Sequence, residues 1–215
     1  MIMNSILSHY ITKILSRIGY HTETERLKAT WRWLTCLLYL NTVGVLLLAY
    51  ANWPFLRSWS GRYSDFTHGW YSHVGLILQQ NAILYAVWPI LEFMGSYCQA
   101  LLRRMWDRGC RCCNKFTTKQ RTINGYVRVH GGPSFDLAWR YACLSNMLLL
   151  CLSFCMSIPS LMLITCLGLL LHYIVHILTI TYYHTAPRLE DIDFIKGVLT
   201  TLQLGICMNL LIGWW

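Results

Sequence analysis

Glu92 is the one acidic side chain set well inside an apolar run, in Pro89-Ile90-Leu91-Glu92-Phe93. Gln79, Gln80 and Asn81 lie earlier in the same run. Polar groups at membrane depth are costly, and where they occur they face protein or water and mark pathways. Gln79, Asn81 and Glu92 are therefore the candidates to line an ion path. The plainer reading of Glu92 is a protonated or paired residue in a helix contact. His172 and His176 stand four apart, so a helix puts both imidazoles on one face, where two rings can share a metal or a haem. No third ligand is placed by the sequence, and neither a metal site nor a cofactor is expected. Asp136 and Arg140 are also four apart, which suits a structural pair near an interface more than a site. Cys110, Cys112 and Cys113 share a basic loop. They lack a fourth zinc ligand at sensible spacing, which leaves membrane-proximal acylation or no role. The chain has no phosphate-binding glycine loop, no nucleophile elbow and no HExxH. An enzyme is not expected.

The elements that position these residues follow from composition. The chain has 215 residues, is 55% hydrophobic and only 13% charged, and carries a formal net charge of +9; its mean hydropathy is +0.40. Soluble domains carry about 25% charged residues, and one soluble core of this size does not bury so much apolar surface. These numbers exclude a soluble globular enzyme, a disordered tail and a secreted disulfide scaffold. Most of the 10 cysteines fall in apolar runs, where the thiol acts as a small packing group. The expected fold class is all-α, a polytopic helical membrane protein with about five transmembrane helices and an N-terminal amphipathic helix.

A spanning helix needs about 20 mostly apolar residues. Five stretches qualify, over residues 31–51, 70–102, 135–158, 160–183 and 192–215. Trp31, Trp33 and Trp53 mark the ends of the first. The second is long and must tilt, bend or project; Gly75, Pro89 and Gly95 are its candidate hinges, and Pro89 should kink it. Residues 2–18 carry an apolar stripe at helical spacing, from Ile2 through Leu7, Ile11 and Leu15 to Ile18. That is the pattern of a helix lying on a membrane surface, or of one packed inside a larger assembly. The resulting division is 1–30, an amphipathic cytosolic segment; 31–102, two spans with a short outer loop; 103–134, a basic cytosolic loop; and 135–215, three further spans.

Charge gives an orientation. Lys13, Arg17, Arg26, Lys28 and Arg32 precede the first span. Eight basic residues against Asp107 alone fill the stretch from Arg103 to Arg128. Cytoplasmic segments carry the excess of Lys and Arg. Two spans separate these segments, so both can lie inside, and the N-terminus is expected on the cytosolic side. Arg103, Arg104, Arg108 and Arg111 are candidates to bind anionic lipid headgroups, a simpler partner for such a loop than nucleic acid.

Several patterns also look familiar as a series. Gly132-Pro133-Ser134-Phe135-Asp136 leads through Trp139-Arg140-Tyr141 into a span, then a break at Pro159 and a second span ending in Tyr182-Tyr183-His184-Thr185-Ala186-Pro187. Gly61-Arg62-Tyr63-Ser64-Asp65-Phe66 stands before Trp70-Tyr71, and Asp107-Arg108-Gly109 after the long span. Across about residues 10–215 this resembles the membrane region of the OSCA/CSC family of osmosensitive and mechanosensitive cation channels, closest to its divergent protist members. The family is in turn similar to anoctamins and transmembrane channel-like proteins. The resemblance implies that the five spans correspond to the last pore-lining helices and the two helices after them, in the orientation that the charges give. It implies a tension-gated cation channel, here as a fragment or subunit, because family members have about ten or eleven spans and a large cytosolic domain. The sequence departs from the family around the break, with Phe154, Cys155, Met156 and Ile158, and carries His172, Tyr173 and His176 where an acid is usual. The other expectation is a non-conducting structural subunit of a large membrane complex. In either case the partners are the bilayer and other membrane subunits or further copies of the chain.

Overall fold

The computed structural model describes residues 2–50, 68–108, 122–124, 135–183 and 192–214. Among these residues there is no strand. The elements are α1 (Ile2–Arg17), α2 (Glu23–Tyr39), a π-helical turn (Leu40–Gly44), α3 (Val45–Tyr50), α4 (His68–Arg108), α5 (Leu137–Phe154), α6 (Ser160–Tyr182) and α7 (Ile192–Trp214). Five helices are long and apolar enough to cross a membrane, counting Glu23–Tyr50 as one. The fold is all-α and polytopic.

The first of these begins earlier than its apolar run. Thr22 accepts a hydrogen bond from the Glu25 backbone N–H at 3.2 Å, and Glu23 and Glu25 occupy the first turn. The cap and the acids favour a helix start there, so two polar turns precede Trp31. The π-helical turn was not foreseen. The Val45 N–H reaches back to the Leu40 carbonyl, and the extra residue turns two neighbours, Thr42 and Val43, inward together. The third span ends at Phe154, four residues short of expectation. Pro159 forces Ile158 out of the helical region, and the Ser157 and Ile158 N–H groups both close on the Phe154 carbonyl, at 3.1 and 2.8 Å. Leu161 N–H then bonds the Ile158 carbonyl and starts α6. Helix α4 runs unbroken through Pro89 for 41 residues, about 60 Å at 1.5 Å per residue, roughly twice the hydrocarbon thickness of a bilayer.

The helices divide into two compact units. The first comprises residues 1–86, 137–169 and 189–215. Its core is built on a stripe of α4, Trp70, Val74, Leu78 and Ala82, with Leu150, Phe154, Ile158 and Leu161 and with Val43 of the π-helical turn. The Trp70 and Phe154 rings stack with centroids 6.2 Å apart. A second cluster joins Trp31, Leu34 and Leu38 of α2 to Ala138, Ala142 and Cys143 of α5. Ile11 of α1 packs against it. Leu15 is buried as well, while Tyr10, Ile14 and Ile18 stay exposed, as suits a helix with one side on protein and one on lipid. Gly168 and Gly205 set the closest approaches. A Cβ at Gly168 would stand 2.9 Å from the Ala86 Cβ, and one at Gly205 would stand 2.9 Å from the Leu152 Cβ.

The second unit comprises residues 87–136 and 170–188. The inward face of its part of α6 is His172, Val175 and Thr179. Phe93 and Tyr97 of α4 both set their rings edge-on against Tyr183, with centroids 5.4 and 5.9 Å apart.

Candidate functional site

The polar groups inside the spans concentrate on α5. Twelve of its 18 residues are buried, among them Arg140, Ser145, Asn146 and Ser153. Trp31 Nε1 donates to Ser145 Oγ at 3.1 Å, and Tyr39 lies 2.7 Å from Ser153 Oγ. Both pairs are separated by 114 residues, so α2 and α5 run parallel and in register. Ser153 gives its own proton to the Leu149 carbonyl at 2.7 Å, so Tyr39 is the donor of that pair. In the π-helical turn that follows α2, Thr42 likewise gives its proton to Leu38 O and takes one from the Tyr85 hydroxyl at 3.4 Å. Small hydroxyls that return their proton to their own helix, and accept from an aromatic on the next, keep a polar seam satisfied without water.

Asn146 breaks that pattern. It is fully buried, and neither its amide nitrogen nor its amide oxygen has a hydrogen-bond partner among the described residues. The Thr35 hydroxyl of α2 is buried and unpartnered in the same sense. A buried polar group with no partner costs roughly 1–3 kcal/mol, so an amide with two unmet ends calls for a guest that both donates and accepts. Water fits, and buried water typically makes about three such bonds.

The residues expected to line a path fall in different settings. Gln79 is half-buried and donates to Ser160 Oγ at 2.8 Å. A companion bond runs from Tyr71 to Ser157 Oγ at 3.0 Å. Together they tie α4 to the first residue of α6 and to the turn before it. Asn81 is half-buried, and its side chain makes no hydrogen bond among the described residues. Glu92 is half-buried and accepts from Trp88 Nε1 at 3.0 Å, one turn back on its own helix. Glu92 and Gln79 belong to different units.

Of the candidate hinges, Gly75 is buried, and a Cβ there would meet Ile158 Cδ1 at 3.1 Å. It serves a close helix approach. Gly95 has open space around it, and Pro89 is buried within the continuous helix. Arg103 is exposed and Arg104 half-buried near the end of α4. The Arg108 side chain and Arg111 lie outside the described residues, as do Cys110, Cys112 and Cys113. Arg140 is 8% exposed and Asp136 exposed.

His172 and His176 do come together. His172 Nδ1 and His176 Nε2 are 3.3 Å apart, with the rings at 73°. His172 is buried, His176 is half-buried, and the Phe135 ring meets His176 edge-on at 5.9 Å. Among the described residues, no cluster of three or more His, Cys, Asp or Glu forms a metal centre.

Asn146 and the serines beside it were missed in the sequence. The available signal was Ser145, Asn146 and Ser153 at helical spacing in the least apolar of the five spans. No protein-family model, curated protein or solved structure matches the chain.

Proposed function

We propose that the chain is a membrane transport subunit in which α5 is the wall of a hydrated path, functioning as a cation channel of the OSCA-like kind that its sequence resembles. The observation that carries this reading is Asn146. In hydrocarbon an unmet amide costs several kcal/mol, and a protein that only needed to pack would place leucine there. Water that meets Asn146 lies inside the helix bundle, next to the seam of hydroxyls that α2 and α4 supply. Gln79, Asn81 and Glu92 remain the candidates for ion contact along α4. The cytosolic N-terminus, the anionic-lipid contacts of Arg103, Arg104, Arg108 and Arg111, and gating by membrane tension complete the reading.

The test is pressure-clamp recording from liposomes that hold the purified chain. The expected result is a tension-evoked cation current that Asn146→Leu removes while the protein still assembles. Absence of current in the unaltered chain, alone and with any copurifying subunit, would sink the channel.

A second reading, a non-conducting subunit of a larger membrane complex, is favoured by two other residues. Gln80 and Gln203 are exposed, each well inside a candidate span, and neither has a hydrogen-bond partner among the described residues. Lipid offers them none, whereas a neighbouring helix does, and side-chain hydrogen bonds between helices help hold membrane assemblies together. Covering helices would also suit a channel subunit. Cross-linking of Gln203→Cys in native membranes reads this directly: a specific product with another subunit or a second copy is expected.

A further inference from the structure

We propose that His172 and His176 form a chelating site for a divalent first-row transition metal, zinc or copper in type, within the membrane-spanning part of α6. This stands on the geometry of the pair and does not depend on conduction. The argument begins with a length. Two ligands each about 2.0–2.1 Å from a tetrahedral ion stand about 3.3–3.4 Å from one another. The facing nitrogens of His172 and His176 stand 3.3 Å apart. A direct hydrogen bond between imidazoles also tolerates that length, but it sits at the long end of the N–H range.

The rings are also held in place. One helical turn fixes the spacing, burial fixes His172, and the edge of Phe135 bears on His176. Two pre-ordered imidazoles lose little freedom on binding an ion. The proton inventory balances without a base. In the neutral pair, one facing nitrogen carries a proton and the other accepts it. With a metal bound, each ring keeps its single proton on its far nitrogen, His172 Nε2 and His176 Nδ1, and both facing nitrogens offer lone pairs. The change is a shift of tautomer, with no net loss of protons.

Location argues for use. His176 lies six residues before Tyr182, so it sits about 9 Å along the helix from that ring, inside the aromatic belt such residues mark. Histidine at that depth is rare and is kept where ions or protons are handled. Two positions of the ion are filled by the pair, and water or halide fills the rest. Imidazole prefers zinc, copper and nickel to calcium or magnesium, and copper binds tightest in the divalent series.

The experiment uses the full chain in detergent, with Cys110→Ser, Cys112→Ser and Cys113→Ser to silence the loop thiols. Zinc is titrated against a chromophoric chelator. The expected result is one zinc equivalent that disappears in the double variant His172→Gln, His176→Gln; equal stoichiometry in the two proteins overturns the site. A second measurement needs no histidine variant. One equivalent of Cu(II) with ascorbate and peroxide oxidises the side chains that hold the metal, and peptide mapping finds them. Oxidation at His172 or His176, suppressed by excess zinc, supports the site. Oxidation confined to the other histidines overturns it and leaves the pair sharing only a proton.

Discussion

Helices α5 and α7 are both spans of the first unit, and they are built in opposite ways. Helix α5 buries two thirds of its residues and places Arg140, Ser145, Asn146 and Ser153 among them. Helix α7 buries Gly205 and Ile212 among its described side chains and turns Leu199, Leu204, Ile206, Leu210 and Leu211 outward. In water the polar helix would lie outside. In a bilayer the apolar solvent accepts leucine freely, so packing and hydrogen bonds decide what goes inside. Between these two helices, burial therefore follows small and polar side chains. The two helices meet through Gly205 against Leu152, and Asn209 donates to the Leu152 carbonyl at 2.7 Å. That bond satisfies one of the carbonyls left open at the end of α5.

The contrast breaks most visibly where two backbones have no room. Gly168→Leu would drive a side chain into Ala86, whose Cβ has nowhere to go, and into the Met147 sulfur, 3.0 Å from the added Cβ. Overpacking costs of about 3 kcal/mol or more are expected, read as loss of the monodisperse peak in detergent. Gly95→Leu on open space should be tolerated. Phe154→Ala comes next. Phe154 is 1% exposed and stacked on Trp70. Its removal in a soluble core would cost about 3–5 kcal/mol. Here part of that transfer gain is absent, because the separated helix already sits in lipid, so about 2–3 kcal/mol is expected by steric-trap unfolding. A loss at the full soluble value would argue that water, not lipid, surrounds the separated helices.

Asn146→Leu tests the polar side of the contrast and has the opposite sign. Replacing an amide that only ordered water satisfies with a side chain that needs no guest should stabilise the bundle by about 1–2 kcal/mol, while the proposed conductance is lost. A destabilised protein would mean that Asn146 is bonded in the native membrane and that no water is needed there.

How much of this was legible in the sequence depends on what each residue answers to. The spans were readable, because twenty apolar residues answer only to bilayer thickness. The break at Pro159 was readable because proline acts on its own backbone. The π-helical turn at Leu40–Gly44 was not, since Thr42 and Val43 turn inward only against Tyr85 and the α4 stripe, which come more than 25 residues later. The candidate path on α4 rests on a polar cluster, Gln79 to Asn81, and on Glu92, the one acid well inside a span. Asn146 carries no charge and sits in an ordinary-looking run. Its importance comes from being surrounded, and that is a property of the packing. The His172–His176 pairing lay between these cases: spacing gave the shared face, and only the rotamers gave the 3.3 Å.

The smallest expected effect is the sharpest test of what covers α7. Leu210 is 70% exposed and Leu211 is 59% exposed. If lipid covers them, Leu210→Ala trades one lipid-facing side chain for a smaller one. The lost methyl groups were in hydrocarbon before and after assembly, so the change should stay within about 0.5 kcal/mol. If another helix covers that face, the same substitution opens a cavity in an interface and should cost several times more, in native membranes but not in dilute detergent. Gln203 makes the comparison specific. It lies seven residues, about two turns, before Leu210, on nearly the same side of the helix. A partner helix that meets one of them meets both, and Leu210→Ala and Gln203→Leu would then be non-additive. Additive and near-neutral effects would leave α7 facing lipid, and would send the search for partners to Gln80 on α4 instead.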